Sequence, residues 1–179
     1  VGRVHAVASH DGASLGMRSS YSSEPVWALG ESVDGTLVAN VGGEIAFFGT
    51  SPRWSTRPQP LPSTPRAMCV TANSTIRAVA ADGVVRDLHL ASGRWTDVAS
   101  VGDFAVATIS SDGSRVATLA GNTLKLHDLQ ARAVREVDVE SGPFDRIRRL
   151  GWNADASLLA IIDRDRLRVY GRDGNLVAQ

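Results

Sequence analysis

A phrase made of a turn, a short apolar strand, a second turn and an alternating strand recurs along this chain about every 40 residues. Its clearest copy runs from Ser110 to Leu129, SSDGSRVATLAGNTLKLHDL. Ser111-Asp112-Gly113 reads as a turn and Arg115–Leu119 as an apolar, β-branched run. Gly121-Asn122 reads as a second turn, and Leu124–Leu129 alternates as a half-buried strand does. Asp34–Ala39, Asn73–Ala78 and Asp155–Ala160 repeat the phrase that Asp112–Ala117 carries. The closing alanines fall at 39, 78, 117 and 160, and the following strand ends at Phe48, Leu88, His127 and Tyr170. Pro52–Thr56 answers Gly93–Asp97 in the same spacing. A period of this length marks a repeat architecture and constrains the fold more than any single residue does.

Each unit holds four strand-like runs. Between residues 104 and 139 they are Phe104–Ile109, Arg115–Leu119, Leu124–Leu129 and Val134–Val139. Asp-Gly and Gly-Asn supply the positive-φ positions that short hairpins need. No segment keeps a 3.6-residue apolar period over three turns. The expected fold is therefore all-β, a β-propeller of four-stranded antiparallel blades. The expected units are 26–66, 67–103, 104–143 and 144–179. Residues 1–25 read as the C-terminal half of an incomplete blade, with strands at Val4–Ala8 and Ala13–Arg18 around His10-Asp11-Gly12. The chain is thus expected to hold half a blade plus four blades, and it starts at Val1 rather than Met, as a fragment or processed product does. An open arc of blades leaves apolar faces in water. The reading therefore expects a protein partner, missing blades from another segment or chain, or a homo-oligomer.

Nineteen basic and nineteen acidic residues give zero net charge. Nucleic acid and anionic membranes demand a clustered positive excess, so neither is an expected partner. No apolar run approaches the length of a transmembrane helix, and none reads as a signal peptide. Cys69 is the only cysteine. It excludes an internal disulfide and leans towards a reducing, cytoplasmic compartment. Of the basic residues only Lys125 is a lysine; with abundant Ala and Gly this matches a GC-rich, bacterial type of coding sequence.

Leu124-Lys125-Leu126-His127-Asp128-Leu129 resembles the third strand of a WD40 repeat, with His127 in place of the usual tryptophan and Asp128 at the aspartate. Val85–Gly93 is similar, with Leu88 and His89 at the Trp-Asp pair. Leu167–Gly171 and Ile45–Gly49 keep an aromatic there. Leu150–Ser157 resembles the strand that ends in the family's Ser-Pro-Asp-Gly turn. The Gly-His dipeptide of many such repeats is missing. The resemblance spans about residues 26 to 179 and is to divergent, bacterial-type repeats. It implies partner binding through loops at one face of a ring, as part of a larger signalling or defence protein linked to an NTPase, kinase or protease. It implies no cofactor.

Several residues invite a sharper reading. Trp54 and Arg57 lie in a proline-rich stretch, Thr50 to Arg66, whose stiff extended backbone suits docking on a protein partner. Arg146, Arg148 and Arg149 cluster at the entry to the last unit and suit a phosphate or acidic peptide. These five are the expected partner-binding residues. His127-Asp128 with Ser110 and Ser111 mimics a hydrolase triad, but neighbours on a strand point to opposite faces. Asp163 and Asp165 offer too few oxygens for a calcium loop. No phosphate-cradling glycine loop is present. No catalytic residue, metal ligand or cofactor is therefore expected. The alternatives are an enzyme with a site at the central channel, and a self-assembling structural half-propeller.

Overall fold

The computed structural model describes residues 3–7, 14–19, 26–31, 37–41, 44–48, 59–71, 75–89, 92–139, 147–163 and 166–179; before residue 49, and at 147, 148 and 163, it describes the backbone alone. Among these residues there is no helix, and the chain is all-β. Strands β1 (Arg3–Val7) and β2 (Ser14–Ser19) form a hairpin. Sheet I contains β3 (Val26–Glu31), β4 (Leu37–Val41) and β5 (Glu44–Phe48). Sheet II contains β6 (Pro65–Val70), β7 (Ile76–Ala80), β8 (Val84–His89) and β9 (Arg94–Ser100). Sheet III contains β10 (Val106–Ile109), β11 (Arg115–Ala120), β12 (Thr123–Asp128) and β13 (Ala133–Asp138). Sheet IV contains β14 (Ile147–Trp152), β15 (Leu158–Asp163), β16 (Arg166–Gly171) and β17 (Leu176–Ala178). Each sheet is antiparallel and runs in chain order. The expected strand at Pro52–Thr56 lies outside the described residues.

The turns form where the side chains can hold them. Asp112 accepts hydrogen bonds from Ser110 Oγ at 2.5 Å and from the Ser114 backbone N–H at 3.0 Å and hydroxyl at 2.7 Å. Burial raises its pKa, but these donors outweigh that and hold it below the ordinary carboxylate value. The matching turn in sheet IV uses Asp155, which accepts from the Ser157 N–H and hydroxyl. Gly113 sits at φ 72° and Ala156, its counterpart, at φ 55°.

Cross-strand pairing corrects the repeat as read from sequence. Leu37 pairs with Phe48, Ile76 with Leu88, Val116 with His127 and Leu159 with Tyr170. These third-strand positions are equivalent, as their spacing predicts. The alanines are not. Ala39 and Ala78 stand two residues after the first member of each pair, whereas Ala117 and Ala160 stand one after it. The connection from Ile109 to Val116 and from Trp152 to Leu159 is one residue longer than that from Val70 to Ile76. One residue on a strand reverses the face.

Each sheet therefore has two distinguishable faces. The face carrying the paired residues above is called the receiving face, and its opposite the offering face. The offering face of sheet II (Cys69, Val79, Val85) packs on the receiving face of sheet III (Ile109, Val116). The offering face of sheet III (Ala117, Leu119, Leu124, Leu126) packs on the receiving face of sheet IV (Leu159, Ile161, Tyr170). The receiving face of sheet II (Met68, Val70, Ile76, Ala78, Leu88) forms a third cluster with Leu61 and Trp95. The first strands run beside one another, β6 lying against β3 and β10, and β10 against β14. Each fully buried leucine or isoleucine in these layers stabilises the stack by about 1.5–3 kcal/mol.

Candidate interaction surface

Sheet IV also has an offering face, and here the layering stops. Val79, Leu119 and Ile162 hold the same register position, as do Val85, Leu124 and Leu167. Val79 and Val85 are fully buried, and Leu119 and Leu124 are 2% and 0% exposed. Ile162 and Leu167, equally apolar, are 44% and 53% exposed. Leu158 is exposed beside them, and Ala160 and Val169 complete the face half-buried. Leu158 pairs with Gly171 where sheet III has an ion pair between Arg115 and Asp128 at 3.0 Å. The fourth sheet thus presents a more apolar offering face than the third. Leu158, Ile162 and Leu167 thus leave the offering face of sheet IV partly open to solvent.

Arg149 lies on this face. It pairs with Ile162 on the first strand and is exposed. Arg148 occupies the irregularity between Ile147 and Arg149, and its side chain lies outside the described residues. Trp54, Arg57 and Arg146 also lie outside the described residues. So Arg149 is brought together with Ile162 and Leu167, two residues not singled out from the sequence. A signal was available: Leu158-Leu159-Ala160-Ile161-Ile162 is a continuous apolar run, the mark of a strand covered on both faces rather than one.

His127 and Asp128 do not form a dyad. The His127 imidazole is buried at the junction of sheets II and III, with Nε2 3.2 Å from Thr118 Oγ1. Burial, then the nearby Lys125 charge, lowers its pKa below the ordinary 6.5. Asp128 turns to the other face, pairs with Arg115 and accepts from the backbone N–H groups of Gln130 and Ala131. Ser110 is committed to its turn, where its hydroxyl donates to Asp112. Ser111 donates to the Ala154 carbonyl at 3.0 Å and ties the turn of sheet III to that of sheet IV. Asp165 and the side chain of Asp163, the carboxylates judged too few for a calcium loop, lie outside the described residues. Among the described residues no group of three or more His, Cys, Asp or Glu is placed to hold a metal ion, and no helix is long and apolar enough to cross a membrane.

The geometry defines an all-β protein with three four-stranded antiparallel sheets, the last of which carries an exposed apolar face with Arg149 on its first strand. No protein-family model matches the chain, and no curated protein matches it.

Proposed function

We propose that this chain is a segment of a WD40-like β-propeller that serves as a non-catalytic interaction or sensor module within a larger regulatory protein. The observation that carries the reading is the uniform handedness of the layers: at both described junctions an offering face meets a receiving face, with the first strands side by side. Repetition of that step around an axis is how blades build a propeller. The resemblance of Leu124–Leu129 and Leu150–Ser157 to WD40 strands points the same way. Three described carboxylates also support a non-catalytic role. Asp87 is held by Arg77, Asp128 by Arg115 and Asp112 by two serines. A carboxylate saturated by structural donors is a poor general base. The single buried thiol at Cys69 suits a reducing, cytoplasmic setting.

Such modules bind partners through loops at one end of the sheets. The turns at 110–114 and 153–157 lie at one end, and the Gly121-Asn122 turn lies at the other. A photo-reactive amino acid at Ala154 and, separately, at Asn122 tests this in the full-length parent protein within its native cells. The reading expects adducts with one discrete protein from one end only. Absence of any protein adduct from both ends overturns it.

A further inference from the structure

The proline-rich stretch from Thr50 to Arg66 suits docking, and its described part does dock, on the chain's own sheet II. Gln59 makes two hydrogen bonds to the β8–β9 hairpin. Its N–H donates to the Gly93 carbonyl at 2.8 Å, and its carbonyl accepts from the Trp95 indole N–H at 2.9 Å. Two residues on, Leu61 is buried in the cluster of Met68, Ile76 and Leu88, with Trp95 packed against it. Pro60 and Pro62, on either side of Leu61, are exposed. The Thr64 carbonyl then accepts from the Ala81 N–H, and the chain enters β6.

The other sheets show that this cover is an addition. Leu88 pairs with Trp95, His127 with Val134 and Tyr170 with Leu176, so the three fourth-strand residues are equivalent. Val134 and Leu176 are 56% and 51% exposed. Of these three sheets, only sheet II has a tryptophan there. The connector into it, residues 49–64, is also longer than 101–105 into sheet III and 139–146 into sheet IV. The chemistry of the seat is that of a reader of extended proline-rich peptides. It offers an aromatic surface, an indole N–H aimed at a ligand carbonyl, and one apolar socket beside them. Prolines at 58, 60 and 62 fix φ at alternate positions, so little backbone freedom is lost on docking.

We propose that the Trp95 seat is a docking site for an extended proline-rich segment of a partner protein, filled in cis by residues 59–62. The partner's segment displaces the connector and supplies the same three features: a carbonyl to the Trp95 indole, an N–H to the Gly93 carbonyl, and an aliphatic side chain in the socket of Leu61. The connector competes at an effective concentration of roughly millimolar, as a short tether does. The seat therefore opens only to a segment that binds better than residues 59–62. This does not depend on the sheets forming a ring, nor on which sheet end crosslinks a partner.

The test is a titration of the 179-residue chain with a capped peptide of residues 59–64, Gln-Pro-Leu-Pro-Ser-Thr. It is followed by the Trp95 indole N–H resonance, which is identified by its loss in Trp95→Val. A connector variant carrying Gln59→Gly, Pro60→Ser, Leu61→Gly and Pro62→Ser keeps the length of the link. It should stay folded, as sheets III and IV leave the equivalent position open, and bind the peptide with a Kd of about 0.1–1 mM. The unaltered chain should bind about 10-fold more weakly. The peptide with Leu61→Asp should bind neither. A connector variant that unfolds makes residues 59–62 part of the core and overturns the inference. So does a folded variant whose Trp95 resonance ignores the peptide, an affinity equal in the two chains, or binding of the Leu61→Asp peptide.

Discussion

Nη1 of Arg77, on the second strand of sheet II, donates to the carbonyl of Gly113, in the first turn of sheet III, at 2.7 Å. The same guanidinium grips Asp87 with Nε and Nη2, at 2.6 and 2.7 Å. One side chain thus closes a cross-strand pair within its own sheet and fastens the next sheet to it. Its forked geometry permits both at once.

Removing that fork exposes its worth. Arg77→Met keeps the aliphatic stem but leaves the Asp87 carboxylate and the Gly113 carbonyl short of donors. Both side chains of the pair are about one-sixth exposed, so water softens the loss relative to a fully buried pair. A destabilisation of about 2–3 kcal/mol is expected in urea denaturation. Arg77→Lys should recover less than half of it, because an ammonium cannot grip two oxygens and a third acceptor in one plane. In the Arg77→Met, Asp87→Leu double variant the loss should shrink, since no carboxylate is then stranded.

Gly113 and Ala156 occupy matching turns, each with its N–H bonded to the carbonyl three residues earlier and each at positive φ. At Gly113 a Cβ would stand 2.8 Å from Thr71 Cγ2 and 3.1 Å from Cys69 Sγ. Gly113→Ala therefore combines left-handed strain with a clash at the sheet junction, and about 2–3 kcal/mol of stability should be lost. Ala156→Gly runs the other way. It removes the strain at the cost of a more flexible unfolded chain, for a net gain of about 0.5 kcal/mol. Thermal or urea midpoints of the two variants should move in opposite directions.

His127 makes stability depend on acidity. Its pKa is ordinary, 6.5, in the unfolded chain and lower in the folded one, where burial and Lys125 disfavour the imidazolium. The unfolded state therefore binds the proton first. Stability from this site is intact above pH 6.5 and declines as pH falls from there towards the folded value. His127→Leu restores the residue that sheet II has at this position, Leu88. It should flatten the change in urea midpoint between pH 7.5 and 5.5 while leaving Thr118 Oγ1 without its partner. An unaltered slope in that variant would show that another group controls the transition.

Cys69 reports on opening of the same junction. Burial pushes its thiol up to about 12, with only partial relief from the Arg77 charge. Almost no thiolate exists at neutral pH, and the thiolate is the reactive form. In native protein at pH 8, reaction with a disulfide reagent should be at least about 100-fold slower than in urea. Gly113→Ala, which loosens the contact beside Sγ, should accelerate it; equal native rates in wild type and variant would separate the thiol from the junction.

Much of the fold was legible before any coordinates. The runs expected between 104 and 139 match β10–β13 to within two residues, because Asp112-Gly113 and Gly121-Asn122 permit few backbone shapes other than turns. The hairpin β1–β2 falls within one residue of the strands expected at Val4–Ala8 and Ala13–Arg18. His127 and Asp128 part to opposite faces, as neighbours on a strand must. The surface was less legible. Arg149 was picked out for its charge, while Ile162 and Leu167, the apolar residues around it, read like any core residues of a repeat. Periodicity alone cannot say whether a face that should be covered has anything over it.

The period, the turns and the alternation of side chains determined strand positions and the all-β class, since these depend on interactions between residues near in sequence. The facing of each residue was decided only in three dimensions. One extra residue between Ile109 and Val116, and between Trp152 and Leu159, places Ala117 and Ala160 on the opposite face from Ala39 and Ala78. The sequence aligns all four without effort. Pairing across strands separates them, because a strand has two sides and a hydrogen-bonded register admits no half step.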